Sequence, residues 1–306
     1  MALLITGVAG FIGSAIAKAA INRGYQVYGV DDLSQGYEEN IPSGLEFINI
    51  DLSNRNQCRN LPKNIDTILH LAGQSSGEIS FDDPVSDLNK NTASTLNLIE
   101  YGILQNSRKI IYASSMSVYG NAVENFPVSE NSLCLPISCY GVGKLAAEKY
   151  LNIYKEKLPF VIFRMFNVYG PGQDMNNLRQ GMVSIFLHYA LTEGHIPIKG
   201  SLKRCRDFVY INDVVDIWLQ AINNSGAINQ IFNLGTGIKT TVEKILVNIK
   251  NIIPNISWSE VSSTPGDQFG IYANNEKLNH VFNVDNFTSI DVGLKTFIRT
   301  LRETGI

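Results

Sequence analysis

Tyr140 and Lys144 stand four residues apart in SCYGVGK (138–144), at the start of a helix-like stretch. On a helix, positions i and i+4 share a face, so the phenol and the ammonium would lie one turn apart on one side. Tyrosine ordinarily ionises at about pH 10, too high for a good base near neutrality. An ammonium beside it favours the phenolate and lowers that value, which equips the pair to take a proton from a hydroxyl. Gly141 and Gly143 flank the motif, although a glycine inside a helix costs roughly 1 kcal/mol against alanine. We read them as room for a ligand to approach the helix. A third partner is expected where a strand ends opposite the pair. IYASSMSVYG (111–120) offers Ser114, Ser115 and Ser117 there. A serine hydroxyl in that place can donate to a substrate oxygen and relay a proton.

A second constellation opens the chain. LLITGVAGFIG (3–13) sets Gly7, Gly10 and Gly13 between a strand-like run and a helix-like one, with Phe11 and Ile12 in the first helical turn. Glycines there permit a tight turn and let backbone approach a pyrophosphate. The helix N-terminus supplies free N–H groups and partial positive charge. Asp31, followed by Asp32, ends the next strand-like run. A carboxylate at that point can hold both ribose hydroxyls and repels a 2′-phosphate, so the pattern favours NAD over NADP. Asp51 and Leu52 close the third run, where they could touch adenine. Lys144 could in addition hold the nicotinamide ribose.

These residues need a scaffold that brings strand ends together. Apolar runs at 2–6, 25–30, 45–50, 67–72, 109–114 and 160–170 alternate with helix-like segments, notably 11–24 and 86–106. That alternation predicts a parallel sheet with helices on both faces, an α/β doubly wound arrangement of the Rossmann type. Further on, 182–194 reads as a helix, 207–224 as strand then helix, and 230–236 as a strand. The tail (241–306) reads as a helix, a Pro/Ser-rich loop and short segments. The division expected is a nucleotide-binding domain of 1–167, to which 207–240 returns. A smaller C-terminal lobe of 168–206 and 241–306 would lie over the sheet.

The chain has 306 residues, 44% of them hydrophobic, enough to bury a sizeable core. A formal net charge of -3 and the lack of a basic block argue against a nucleic-acid partner. Four scattered cysteines without a CxxC pair suit a reduced, cytoplasmic protein, and with four histidines no metal site is expected. An apolar run long enough for a membrane span is absent from the sequence.

Together, TGVAGFIG (6–13), HLAG (70–73), ASSMSVYG (113–120), Tyr140-x-x-x-Lys144 and RMFNVYGPG (164–172) resemble the extended short-chain dehydrogenase/reductase family, and within it the nucleotide-sugar epimerases and dehydratases. RDFVYINDVV (206–215) and FNLGTG (232–237) extend the resemblance over essentially the whole chain. It implies an NAD-binding Rossmann domain, contacted also by Leu71, Ala72 and Gly73, and an NDP-sugar site beneath the smaller lobe. Tyr140 would be the base, Lys144 its partner, and Ser115 the hydroxyl on the reacting oxygen. Ser117 would contact the sugar, Asn167 and Arg206 the diphosphate, and Asp267 the uridine ribose or its loop. For Arg206 the plain alternative is a surface ion pair. Dehydratases of this kind carry an Asp-Glu pair after the catalytic hydroxyl; here Met116 and Ser117 follow Ser115, which favours an epimerase. Ile271 stands where hexose-only 4-epimerases tend to carry a Tyr, and would leave room for an N-acetyl group. The implied activity is 4-epimerisation of a UDP-hexose or UDP-N-acetylhexosamine. The alternatives are another NDP-sugar epimerase, a 4-keto-sugar reductase or a non-catalytic redox sensor. The resemblance also implies a homodimer built on 86–106 and 138–157.

Overall fold

The computed structural model describes residues 1–121, 127–262 and 269–305. Its strands are β1 (Ala2–Thr6), β2 (Gln26–Asp31), β3 (Glu46–Asn49), β4 (Thr67–His70), β5 (Lys109–Ser115), β6 (Phe160–Met165), β7 (Asn167–Tyr169), β8 (His195–Lys199), β9 (Cys205–Arg206), β10 (Phe208–Tyr210), β11 (Gln230–Leu234), β12 (Thr240–Thr241) and β13 (Ser257–Val261). Its α-helices are α1 (Phe11–Asn22), α2 (Pro84–Leu88), α3 (Ser94–Leu104), α4 (Cys139–Tyr154), α5 (Met182–Thr192), α6 (Ile211–Asn223), α7 (Val242–Ile252), α8 (Glu276–Phe282) and α9 (Ile290–Glu303).

Seven strands form one sheet in the order β11-β6-β5-β4-β1-β2-β3, and every pairing in it is parallel. The order reverses between β1 and β4. Parallel strands need covering on both faces, which is why β4, β5 and β6 read as nearly unbroken buried runs. One face packs on α1 and α6 through Ile16, Ala20, Trp218 and Ile222. The other packs on α3 and α4 through Leu98, Ile99, Ala147 and Leu151. Loops leaving the carboxyl ends of β1 and β4 diverge at the reversal, and that crevice is where such sheets take ligands.

The alternation in the sequence is thus realised as the Rossmann-type sheet it implied. Three details differ. The 160–170 run breaks at Phe166, whose N–H donates to Leu234 O at 3.0 Å. β6 stays in the large sheet, while β7 leaves it to pair with β10. The 86–106 helix starts earlier, at Pro84, with Asp83 accepting from Ser86 N at 2.9 Å. It also carries a π-helical turn at Asn89–Ala93 between α2 and α3. The described residues of the tail hold three α-helices, where one was expected. α9 buries Leu294, Phe297, Ile298 and Leu301 at helical spacing, against α7 and β10.

Candidate active site and nucleotide pocket

The glycine loop follows directly from backbone geometry. Gly7 has φ +73°, and a Cβ there would lie 2.8 Å from Ala72 N in the loop after β4. A Cβ on Gly13 would overlap the Gly7 carbonyl oxygen. These two glycines therefore serve the close crossing of α1 over β1 and β4. Gly10 differs, because a Cβ there would meet only Gly7 O, at 3.3 Å. Gly10 is also the N-cap of α1, with no side-chain cap and no acidic residue in the first turn. The first N–H groups of α1 are left for an anion.

A cavity of about 620 Å³ extends from this turn across the sheet's reversal point. It gathers Gly7, Gly10, Phe11, Ile12 and Gly13 from the first turn, and Asp31, Asp32, Asp51 and Leu52 from the ends of β2 and β3. Leu71, Ala72 and Gly73 join from the end of β4, and Ser115, Ser117, Tyr140, Lys144 and Asn167 close the far side. The residues fit a dinucleotide: an uncapped helix end at the centre, a carboxylate at the end of β2, and a basic side chain at the far end. Asp31 accepts from Ala9 N and Leu33 N, both at 3.0 Å, which fixes its carboxylate at the strand end. Burial pushes its pKa up against those two bonds. Lys90, on the π turn, bridges Asp32 and Asp51, 3.3 Å from Asp51 Oδ1. Burial raises Asp32 and Asp51, but bonds from Lys90, Ser34 and Ser53 outweigh it and hold both below the usual carboxylate range.

At the other end, Ser138 caps α4 by accepting from Gly141 N at 3.1 Å. Tyr140 and Lys144 then face β5. Lys144 Nζ donates to Ala113 O at 3.0 Å, and lies 5.0 Å from the Tyr112 ring centre and 5.7 Å from that of Tyr140. Ser115 stands close enough to Tyr140 to favour the ionised phenol, and its Oγ accepts from Ser117 N at 3.1 Å. Ser114 turns the other way and donates to the buried carboxylate of Glu148. That carboxylate is paired with Arg164, 2.7 Å from Nη2. Ser114 thus belongs to the scaffold, and Ser115 to the site.

Two expectations are corrected here. Gly141 and Gly143 do not open α4 to a ligand. A Cβ on Gly141 would fall 2.6 Å from Ser117 O, and one on Gly143 would lie 3.3 Å from Asn91 Cβ and 3.4 Å from Asp87 Oδ2. Other parts of the chain fill that space, so the glycines let α4 press against the β5 loop and the π turn. Nor does the Lys144 ammonium by itself bring Tyr140 down. Burial pushes the phenol up to about 12, with Ser115 opposing and Asp87 adding to the rise. Burial likewise brings Lys144 down to about 8, and Asp87 opposes that fall.

An adjoining cavity of about 340 Å³ shares Met116, Ser117 and Asn167 with the first. Its wall carries Arg206, together with Arg179, Lys199 and Arg204, which were not picked out from the sequence. Arg206 does not lie at the surface. It is buried, and its Nη1 donates to Cys205 O at 2.8 Å and Phe269 O at 3.3 Å. Burial brings it down to about 10, so it remains cationic at neutral pH. Asn167 Nδ2 donates to Asp207 O at 3.0 Å. Ile271 is 1% exposed and packs among Val118, Tyr119, Val128 and Phe166; the structure does not bring it to either cavity wall. Its apolar side chain is worth more in that small core than at a polar pocket. Asp267 lies outside the described residues. Among the described residues, no His/Cys/Asp/Glu group could hold a metal ion, and no helix is long and apolar enough to cross a membrane.

A parallel sheet with a dinucleotide cradle at its reversal point and a Tyr–Lys pair beside it defines a nucleotide-dependent enzyme of the short-chain dehydrogenase type. Residues 3–235 match the NAD-dependent epimerase/dehydratase family, and the chain belongs to it. It is 37% identical over 254 residues to a UDP-glucose 4-epimerase of Mycolicibacterium smegmatis, covering 80% of each chain. Its fold matches the UDP-glucose 4-epimerase of Thermotoga maritima, solved with UDP-glucose, at a TM-score of 0.95 and 32% identity over 99% of both chains. It also matches the UDP-glucuronic acid 4-epimerase of Bacillus cereus, solved with UDP-glucuronic acid and NAD. There the TM-score is 0.89 and the identity 27%, over 99% of this chain and 100% of that one.

Proposed function

We propose that this protein is an NAD-dependent nucleotide-sugar 4-epimerase, acting on a UDP-hexose or a UDP-N-acetylhexosamine. The observation that carries the reading is the position of Ser115, Tyr140 and Lys144. They line the dinucleotide-shaped cavity beside Ser117 and Asn167, which belong to both cavities. A sugar spanning that boundary presents a ring hydroxyl to the phenol. Family membership and the relatives described above support the UDP-sugar class.

Tyr140 takes the proton of the sugar's 4-hydroxyl. Ser115, on the cavity wall with that phenol, orients the reacting oxygen and shares its proton. Lys144 keeps positive charge within reach of the phenolate as it forms. When bound, NAD would supply the redox chemistry, its oxidised form accepting hydride from the C4 alcohol and the NADH so formed giving it back to the ketone. Gly10 and the first turn of α1 hold the pyrophosphate, Asp31 the adenosine ribose, and Asp51 and Leu52 the adenine. Arg206 and Asn167 bind the sugar diphosphate in the second cavity. Met116 and Ser117 follow Ser115, so no carboxylate stands at the place from which water elimination would be driven. This disfavours a dehydratase.

On this reading 1–167 and 207–240 hold the cofactor, while 168–206 and 241–306 close over the sugar nucleotide. Two copies pair through α3 and α4, whose outer faces leave Leu104 and Ile153 exposed.

The test is to mix purified protein with UDP-glucose and, separately, UDP-N-acetylglucosamine, with and without NAD+. NMR follows the sugar's C4 configuration, and absorbance follows NADH. An axial 4-hydroxyl product without net NADH supports the epimerase. Net NADH consumption on a 4-keto sugar would make the protein a reductase. No conversion of any UDP-hexose would overturn the substrate assignment.

A further inference from the structure

Asp87 is a buried acid that the reaction above does not use. It sits near the end of α2, one turn before Asn91, is 2% exposed, and lines the larger cavity. Its Oδ1 accepts from Asn91 Nδ2 at 3.1 Å. Its Oδ2 has no hydrogen-bond partner among the described residues, and neither does Asn91 Oδ1. Buried polar atoms without partners are rare and call for an explanation. Two glycines crowd these atoms: a Cβ on Gly143 would lie 3.4 Å from Asp87 Oδ2, and one on Gly73 2.5 Å from Asn91 Oδ1 and 3.5 Å from Lys144 Nζ. The carboxylate, the amide oxygen and the Lys144 ammonium are therefore grouped around these two glycines, at the wall of the cavity that Tyr140 also lines.

We propose that Asp87 is a positioning residue for the reaction, its carboxylate being the buried counter-charge that holds Lys144 as an ammonium beside Tyr140. This rests on the roles given above to Tyr140 and Lys144. The other groups that face Lys144 cannot supply the charge. His70 on β4 is neutral, because burial brings it down to about 3. Tyr112 on β5 and Tyr140 on α4 are both pushed up by burial and stay protonated. Glu148, one turn along α4, is spent on Arg164 of β6 and Ser114 of β5. Asp87 is the remaining carboxylate, and its field reaches Lys144, Tyr140 and Tyr112. A buried ammonium without a counter-ion would shed its proton, and with it the charge that the phenolate needs. Burial raises Asp87 itself to about 6, with Lys144 and Asn91 opposing, so it is ionised at neutral pH.

Carbamylation by cyanate tests this without sugar, because only the free amine of a lysine reacts. The protein is compared with Asp87→Asn and Asp87→Glu at matched bound nucleotide. Peptide mass spectrometry reads Lys144 against the exposed Lys18. At pH 7, Lys144 of D87N should react roughly threefold to tenfold faster than in the wild type, the scale on which one near charge alters a neighbour's ionisation. D87E should restore the slow rate. In turnover, the pH profile of D87N should move to lower pH as a whole, since Asp87 raises both Lys144 and Tyr140. The unsubstituted protein gives a second readout should D87N fail to fold. Its Lys144-to-Lys18 rate ratio should level off near pH 7, a unit below the Lys144 value of about 8, and climb again as pH falls through about 6, where Asp87 takes up a proton. Equal rates in D87N, or a wild-type ratio that stays level from pH 7 down through 5, would overturn the proposal. A failure of the 4-epimerase reading would show in the sugar assay alone.

Discussion

Replacing Arg164 by methionine removes one half of a buried ion pair and leaves the other half in place. Arg164 and Glu148 side chains are 3% and 1% exposed. Arg164 Nε donates to Glu148 Oε1 at 3.0 Å and Nη2 to Oε2 at 2.7 Å, while Nη1 reaches Tyr119 OH at 3.0 Å and Glu130 O at 3.1 Å. Stranding a carboxylate in such a place costs about 3–5 kcal/mol. For a chain of this size that is a fall in Tm of roughly 5–8 °C. The effect should reach the site, because Glu148 also accepts from Ser114, beside Ser115. We expect kcat to fall with stability in Arg164→Met. Arg164→Met combined with Glu148→Leu should regain a large part of the lost stability, because no unpaired charge remains. Equilibrium urea unfolding at saturating NAD measures both. A single-variant loss under about 1 kcal/mol, or a double variant no more stable than the single one, would refute this account of the pair.

The two glycines of the Tyr–Lys segment should behave differently. Gly141→Ala drives a methyl into the Ser117 backbone oxygen and should lower both stability and kcat, by about 1–3 kcal/mol in stability after overpacking. Gly143→Ala meets atoms at 3.3 Å or more and should be near neutral, its strain offset by helix propensity; thermal unfolding and kcat decide both. Asp31→Asn should weaken NAD binding roughly tenfold or more and narrow its preference over NADP, read by fluorescence titration. His70 is held neutral by burial, which brings it down to about 3 from 6.5. The unfolded chain therefore takes up a proton that the folded one refuses, and stability falls as pH drops from about 6.5 towards 3, by up to roughly 4 kcal/mol from this residue. His70→Asn should lose that part of the acid dependence of urea unfolding.

What could be read from the sequence was what a short segment carries by itself. Gly7, Gly10 and Gly13, Asp31, and Tyr140 with Lys144 each sit at a strand end or helix start that local pattern identifies. The fold followed, since buried parallel strands and amphipathic helices have distinct periods. Contacts between distant segments stayed out of reach. Lys90 meets Asp32 across 58 positions, and Asp87 comes within electrostatic reach of Lys144 only because α2 packs on α4, so no local pattern marks either. The same limit explains the error at Gly141 and Gly143. A glycine announces close approach, but only the fold shows that Ser117 and Asn91 are what approach. Ile271 was placed by analogy on a pocket wall and is instead sealed in a satellite core. The apolar positions of α9, Leu294, Phe297, Ile298 and Leu301, have helical spacing but are interspersed with charged residues, which weakens the pattern in the sequence.

The central claim is that Tyr140 works with hydride transfer at the sugar's C4. UDP-glucose deuterated at C4 tests it most directly, with product followed by NMR in ordinary water. The account predicts inverted product that keeps its deuterium at C4, and a Tyr140→Phe variant slowed roughly 100- to 10,000-fold while still binding NAD. Product that has exchanged its C4 deuterium for solvent hydrogen, or a Tyr140→Phe variant as fast as the wild type, would contradict it.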